Sequence, residues 1–212
     1  VGTEKQPGVI TLKCVRASFL TLGEPERFQN KPENKPRWSA TGLLAYADAQ
    51  VKTLDALIEE VAATKWEKKW KSILENILVD PKACFKVDGK RKDYNGYEGM
   101  WALTAHRDSK KGRPIVIDTD KSPIYLGKNA DASKGESSND LYSSKAGRIY
   151  SGCYINLQIQ IWAQDNAQGK AIRAELLGVQ RFKDGDAFSG GAAPDESAFE
   201  EITEGTDADD LT

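Results

Sequence analysis

The chain has 212 residues, 39% hydrophobic and 29% charged, enough for one soluble domain with a core, and no apolar run of about 18 residues points to a membrane span. Three widely spaced cysteines (Cys14, Cys84, Cys153) and a single histidine, His106, argue against a disulfide framework, Cys/His zinc clusters and histidine triads. The net charge of −2 conceals an asymmetry: Asp195, Glu196, Glu200, Glu201, Glu204, Asp207, Asp209 and Asp210 occupy a 194–212 segment with no Lys or Arg, so residues 1–193 carry +6.

Residues 1–8 read as a flexible lead without the basic-then-apolar pattern of a secretory signal, which suits a cytoplasmic protein. Residues 9–22, rich in β formers such as Ile10, Val15 and Phe19, predict a long strand. Three prolines among charges make 23–36 a loop, and 37–45 a second strand. Asp48 is placed to cap a helical insertion over 48–78. There Val51, Leu54, Leu57, Ile58 and Val61, then Trp66, Trp70, Ile73, Leu74 and Ile77, recur at helical spacing. Its two Trp suit core anchors, and Lys65, Lys68, Lys69 and Lys71 form a basic face around them. Residues 88–99 predict a basic, Gly-rich loop, 100–107 and 114–117 two further strands, and 128–147 a mobile low-complexity loop. Two strong strands, 148–162 and 170–183, should pair as a hairpin. The expected fold is mainly β: an OB-like, partly open barrel of five or six strands, with the helical insertion, spanning 1–193 and followed by a disordered acidic tail over 194–212.

The 148–162 strand carries the clearest binding signal. Its period of two places Ile149, Cys153, Ile155, Leu157, Ile159 and Ile161 inside. Tyr150, Tyr154 and Trp162 fall on the other face, with Asn156, Gln158 and Gln160. Either loops or the helices cover that face, or the rings stack nucleic-acid bases. Cations that suit a phosphate backbone are Lys90, Arg91 and Lys92, interleaved with Tyr94 and Tyr97, then Arg107, Lys110, Lys111, Arg113, Arg148 and Arg181. No phosphate-loop, dinucleotide or nucleophile-elbow motif is present, and no cofactor or metal is implied. Asp118 and Asp120 follow a strand as nuclease carboxylates do, but Lys121 is misplaced for that chemistry, and turn residues are the simpler reading.

Gly152-Cys153-Tyr154-Ile155-Asn156, Trp162-Ala163-Gln164-Asp165-Asn166, Gly169-Lys170, Leu176-Leu177-Gly178-Val179-Gln180 and Asp184-Gly185-Asp186-Ala187-Phe188 resemble a phage family once classed only as a domain of unknown function. That family is similar to the OB-fold single-stranded-DNA-binding proteins of short-tailed coliphages. The match is dense over about 147–191 and looser over 99–117. The resemblance implies a non-enzymatic protein of the infected bacterial cytoplasm that coats single-stranded DNA in phage replication, recombination and repair. It also implies an acidic tail that occupies the DNA groove when DNA is absent and contacts phage or host replication proteins. The body charge allows weaker duplex binding, and a homodimer is compatible with the reading. Two alternatives stay open: an accessory protein whose tail mimics nucleic acid, and a metal-dependent nuclease using Asp118 and Asp120.

Overall fold

The first strand, β1, spans Val9–Glu26 and pairs antiparallel with β2, Arg37–Ala45. It runs past the boundary the sequence suggests, because Glu26 still sits opposite Arg37. The computed structural model describes residues 7–126, 141–143 and 147–188. The acidic segment 194–212 and most of the expected 128–147 loop lie outside these residues.

After β2, Asp48 accepts a hydrogen bond from the Gln50 amide at 2.8 Å and so supplies the expected cap for α1, Gln50–Trp66. The expected helical region is divided: Glu67 adopts φ +45°, a 3-10 turn covers Glu67–Lys69, and α2 runs over Trp70–Val79. Leu54, Ile58, Ala62 and Trp66 of α1 and Leu74 and Ile77 of α2 are buried in the same core as the barrel. The Trp66 indole donates to Asp165 at 2.9 Å, so this Trp is an anchor. A short β3, Lys86–Asp88, then leads through the 88–99 loop to β4, Met100–Asp108.

β4 lies antiparallel to β2 along its whole length. Beyond it come β5 (Ile115–Ile117), β6 (Tyr125–Leu126), β7 (Leu141–Ser143) and β8 (Gly147–Ile149). The last three form a small sheet of their own, so the expected loop region contains strand at 141–143. The hairpin is as expected: β9, Tyr154–Asn166, pairs antiparallel with β10, Gly169–Lys183. β9 also pairs with β1, and β10 meets β4 in parallel.

The order β1–β2–β4–β10–β9–β1 is that of a closed five-stranded barrel. Its seam is thin, with one β4–β10 ladder position, His106 opposite Glu175. The expected partly open barrel is thus closed, at a single ladder position. Flanking backbone bonds from Phe85 to Ile172 and from Ile172 to Ala83 help to close it. Inside lie Leu12, Val15, Ile155, Leu157, Ile159, Ile172 and Leu176, all fully buried.

One strand expectation is corrected. Residues 148–162 are not continuous, because β8 stops at Ile149 and β9 starts at Tyr154. Between them Gly152 takes φ +113°, donates its amide to Ala17 and lies so close to Asp186 that a Cβ would approach its carbonyl oxygen to 2.1 Å. Tyr150 and Tyr154 therefore do not share one strand face.

Candidate nucleic-acid interface

The period of two in β1 breaks between Ala17 and Leu22. Ser18 faces Thr41 and Thr21 faces Ser39, with an irregularity between them. Phe19 sits in that bulge with φ +46°, a backbone state that costs an L-residue about 1–2 kcal/mol. The bulge lets Leu20 pack on the core while the Phe19 ring stands 54% exposed.

The 88–99 loop brings a second ring to it. Asp88 accepts the Lys90 amide at 2.9 Å and the Tyr46 hydroxyl, and the Tyr46 bond holds its carboxyl below the usual carboxylate range. Gly89 is buried where any Cβ would strike the carbonyl oxygens of Tyr97 and Met100. Tyr97 is buried and donates its hydroxyl to Ser18 Oγ at 3.0 Å; burial pushes its phenol pKa up. Tyr94 is 52% exposed, edge-on to Phe19 at 4.9 Å and to Tyr97 at 5.3 Å. Two exposed rings thus stand on one buried ring.

This pair divides two hollows. The first, about 380 Å³, has Thr21, Ser39, Thr41, Thr104 and His106 on its floor, from β1, β2 and β4. Lys92 and the ring pair bound it, with Arg27, Phe28 and Arg37 from the loop after β1 and the start of β2. Phe28 is 54% exposed, and the Arg37 guanidinium lies 5.4 Å over its ring. The second hollow, about 340 Å³, continues past the rings to Ser151 and Phe188. There the Arg16 guanidinium lies 4.1 Å over Phe188 and donates to the Asp186 carbonyl at 2.9 Å. The result is a track over the β1–β2–β4 face with aromatic rings and arginines along it.

His106 is the titratable floor residue, and its Nδ1 is buried without a hydrogen-bond partner. Burial, then Arg37 and Arg173, lower its pKa to about 4. The unfolded histidine, near 6.5, binds a proton that the folded one refuses. This group's contribution to stability is therefore complete above pH 6.5 and is lost as pH falls toward 4, with a slope approaching about 1.4 kcal/mol per pH unit. Urea midpoints over that interval should fall more steeply for the wild type than for His106→Gln; parallel curves would contradict the assignment.

The sequence-derived candidates distribute unevenly. Tyr94 and Lys92 line the track, and Tyr97 supports it from below. Lys90 is exposed on the same loop, but Arg91 turns to the helices and donates to the Val79 carbonyl at 3.0 Å. Arg107 is engaged by Glu175 at 2.8 Å and by the carbonyls of Gly112 and Lys111. Lys111 pairs with the same Glu175, so these two cations brace the barrel seam. Lys110 is exposed, and Arg113 donates to the carbonyls of Leu22 and Ile124. Arg181 is buried and pairs with Asp184, which removes it from the surface. The side chain of Arg148 and the tail acids Asp195 to Asp210 lie outside what the structure describes.

The aromatic face of the final hairpin is also largely occupied. Tyr150 packs on the core and donates to the Gly185 carbonyl at 2.8 Å. Tyr154 lies under Lys183, at 4.7 Å, and beside Gly185. Asn156 bonds Gln180, Gln158 bonds Thr11, and Gln160 bonds the Pro7 carbonyl. Trp162 is exposed but faces α1 rather than the track. Asp118 and Asp120 accept hydrogen bonds from Thr119 and Ser122 in a turn. Phe19, Phe28, Phe188, Arg16, Arg27 and Arg37 are not among the binding candidates that the sequence offers; the broken alternation between Ala17 and Leu20 is the available signal for Phe19.

The strand order and this groove define an OB-fold protein with its open face on the first three barrel strands, the face where OB-folds hold oligonucleotides. The chain belongs to the family of the Enterobacter phage Enc34 ssDNA-binding protein, whose model matches residues 8–212. A protein designated p50 of Acyrthosiphon pisum secondary endosymbiont phage 1 is 33% identical over 195 residues, covering 92% of this chain and 94% of that one. The single-stranded DNA-binding protein from bacteriophage Enc34, solved in complex with ssDNA, is 27% identical, with a TM-score of 0.64 over 89% of this chain and 98% of that one. The single-stranded DNA binding protein encoded by bacteriophage T7 is 9% identical, with a TM-score of 0.50 over 87% and 97% of the two chains, a likeness of fold alone. No helix among the described residues is long and apolar enough to cross a membrane.

Proposed function

We propose that the chain binds single-stranded DNA along the track over β1, β2 and β4, without sequence preference and without chemistry on the strand. The observation that carries this is the exposed Phe19–Tyr94 pair between two hollows, the first lined by Arg27, Arg37 and Lys92 and the second ending at Phe188 beneath Arg16. Bases stack on such rings whatever their identity. Arg16, Arg27, Arg37 and Lys92 supply charge for phosphates, and hydroxyls on the floor offer partners to sugars and base edges. Membership of a phage ssDNA-binding family and likeness to a relative solved with ssDNA support the same reading. The role that follows is protection of single strands during phage replication, recombination and repair in the cytoplasm of the infected bacterium.

The acidic segment 194–212 fits a competitor for the same groove. Phe188, the last described residue, lies in the second hollow against Arg16, with five residues between it and the start of the segment in the sequence.

Fluorescence titration with oligo-dT at two salt concentrations tests both parts. Binding is expected at low salt and should weaken as salt rises, through counterion release. Removing residues 194–212 should tighten binding most at low salt, where the competing charges are least screened. No binding at low salt overturns the main reading. Equal affinity with and without the segment at every salt concentration overturns the competitor.

A further inference from the structure

We propose that a second docking site, beside Trp162 at the end of α1, receives the acidic segment around Phe199 from another copy of this chain. The proposal goes beyond strand binding and does not depend on it. Trp162 is 44% exposed and borders a hollow of about 320 Å³ whose apolar part is Pro7, Gly8, Val61, Ile161 and Ala163, with Glu60, Thr64, Lys65 and Gln160 on its rim. An exposed Trp over an aliphatic floor is a seat for an apolar side chain. Directly after the hollow, Lys68 and Lys69 of the 3-10 turn and Lys71 of α2 follow Lys65, all exposed. None of the four forms a salt bridge with a described residue, and none lines either hollow of the track.

The chain itself contains the complement. Residues 195–202 read Asp-Glu-Ser-Ala-Phe-Glu-Glu-Ile, an apolar ring flanked by four acids. Phe199 would fill the hollow while Glu200 and Glu201 meet the lysines.

Reach favours a second copy. The Phe188 amide is held by the Ser151 carbonyl at 2.9 Å. Trp162 lies eight residues beyond Tyr154 along β9, about 26 Å away at ~3.3 Å per residue. The stretch from Phe188 to Phe199 has a root-mean-square span of roughly 18 Å as a flexible coil. To reach its own Trp162 it would have to span at least about 26 Å, well beyond its relaxed coil span though within its full extension of about 36–40 Å. A neighbouring copy imposes no such stretch.

The test is carbodiimide cross-linking, which condenses a carboxylate with an amine, on a mixture of ¹⁴N- and ¹⁵N-labelled full-length protein, with and without oligo-dT. Mass spectrometry is expected to find Glu200 or Glu201 joined to Lys65, Lys68 or Lys69 in mixed-isotope pairs. These pairs should be lost in Phe199→Ala and in the double variant Lys68→Glu/Lys69→Glu, while affinity for a short oligo-dT stays within twofold. Same-isotope pairs alone would mean a chain docking on itself, and cross-links confined to Lys92 would mean groove competition only; either overturns the proposal. Loss of oligo affinity in Lys68→Glu/Lys69→Glu would assign the lysines to the strand and overturn it too. A wild type that fails to bind oligo-dT yet gives the mixed pairs would overturn the groove reading alone.

Discussion

Replacing Phe19 and Tyr94 together by alanine is expected to weaken binding of a short oligo-dT by about 2–6 kcal/mol, because each stacked base contributes roughly 1–3 kcal/mol. The barrel should survive the change. Both rings are more than half exposed, and Tyr97, which ties the loop to Ser18, is left in place. Alanine removes the ring, yet like phenylalanine it strains at the left-handed backbone of position 19, so that cost cancels in the comparison. Fluorescence titration gives the affinity, and a urea melt confirms that the fold is intact. A folded double variant with wild-type affinity would move the stacking platform elsewhere. Tyr150→Phe is the contrasting variant: it loses a hydroxyl bond to the Gly185 carbonyl but no exposed ring.

Gly152→Val is expected to destabilise the chain by about 2–4 kcal/mol and to damage the second hollow at the same time. The backbone there has φ +113°, a region open essentially to glycine alone, at a cost of about 1–3 kcal/mol for other residues. A Cβ would also lie 2.1 Å from the Asp186 carbonyl oxygen and 2.7 Å from Ala187 Cα. Both are backbone atoms and cannot rotate away. Relief requires residues 184–188 to lift, which releases Phe188 from Arg16 and from the Ser151 carbonyl. Urea denaturation should show the lost stability, and oligo-dT titration a weaker site. A variant as stable as the wild type would mean that the exit segment is not held against Gly152.

The period-two strands and the helical spacing of the insertion were legible because each is written in a single local segment. The hairpin at 154–183 was found for the same reason. Barrel closure was less visible, since it depends on one ladder position between strands far apart in sequence. The candidate site residues are less accessible than the sequence suggests, for two physical reasons. Continuing the alternation through Gly152 kept Tyr150 and Tyr154 on one face, although a positive-φ glycine interrupts the strand. Counting cations without their partners brought in Arg107, Lys111 and Arg181, whose carboxylates Glu175 and Asp184 are assigned by the fold. Phe19 is the opposite case: the offset between Ala17 and Leu20 was present in the sequence, but its meaning required knowing that both flanks stay paired with β2.

The left-handed Phe19 sets two selective pressures against each other. Glycine at this position would relieve the backbone and yield a more stable barrel, yet it would leave nothing for a base to rest on. Stability and the proposed stacking therefore pull in opposite directions at this one position.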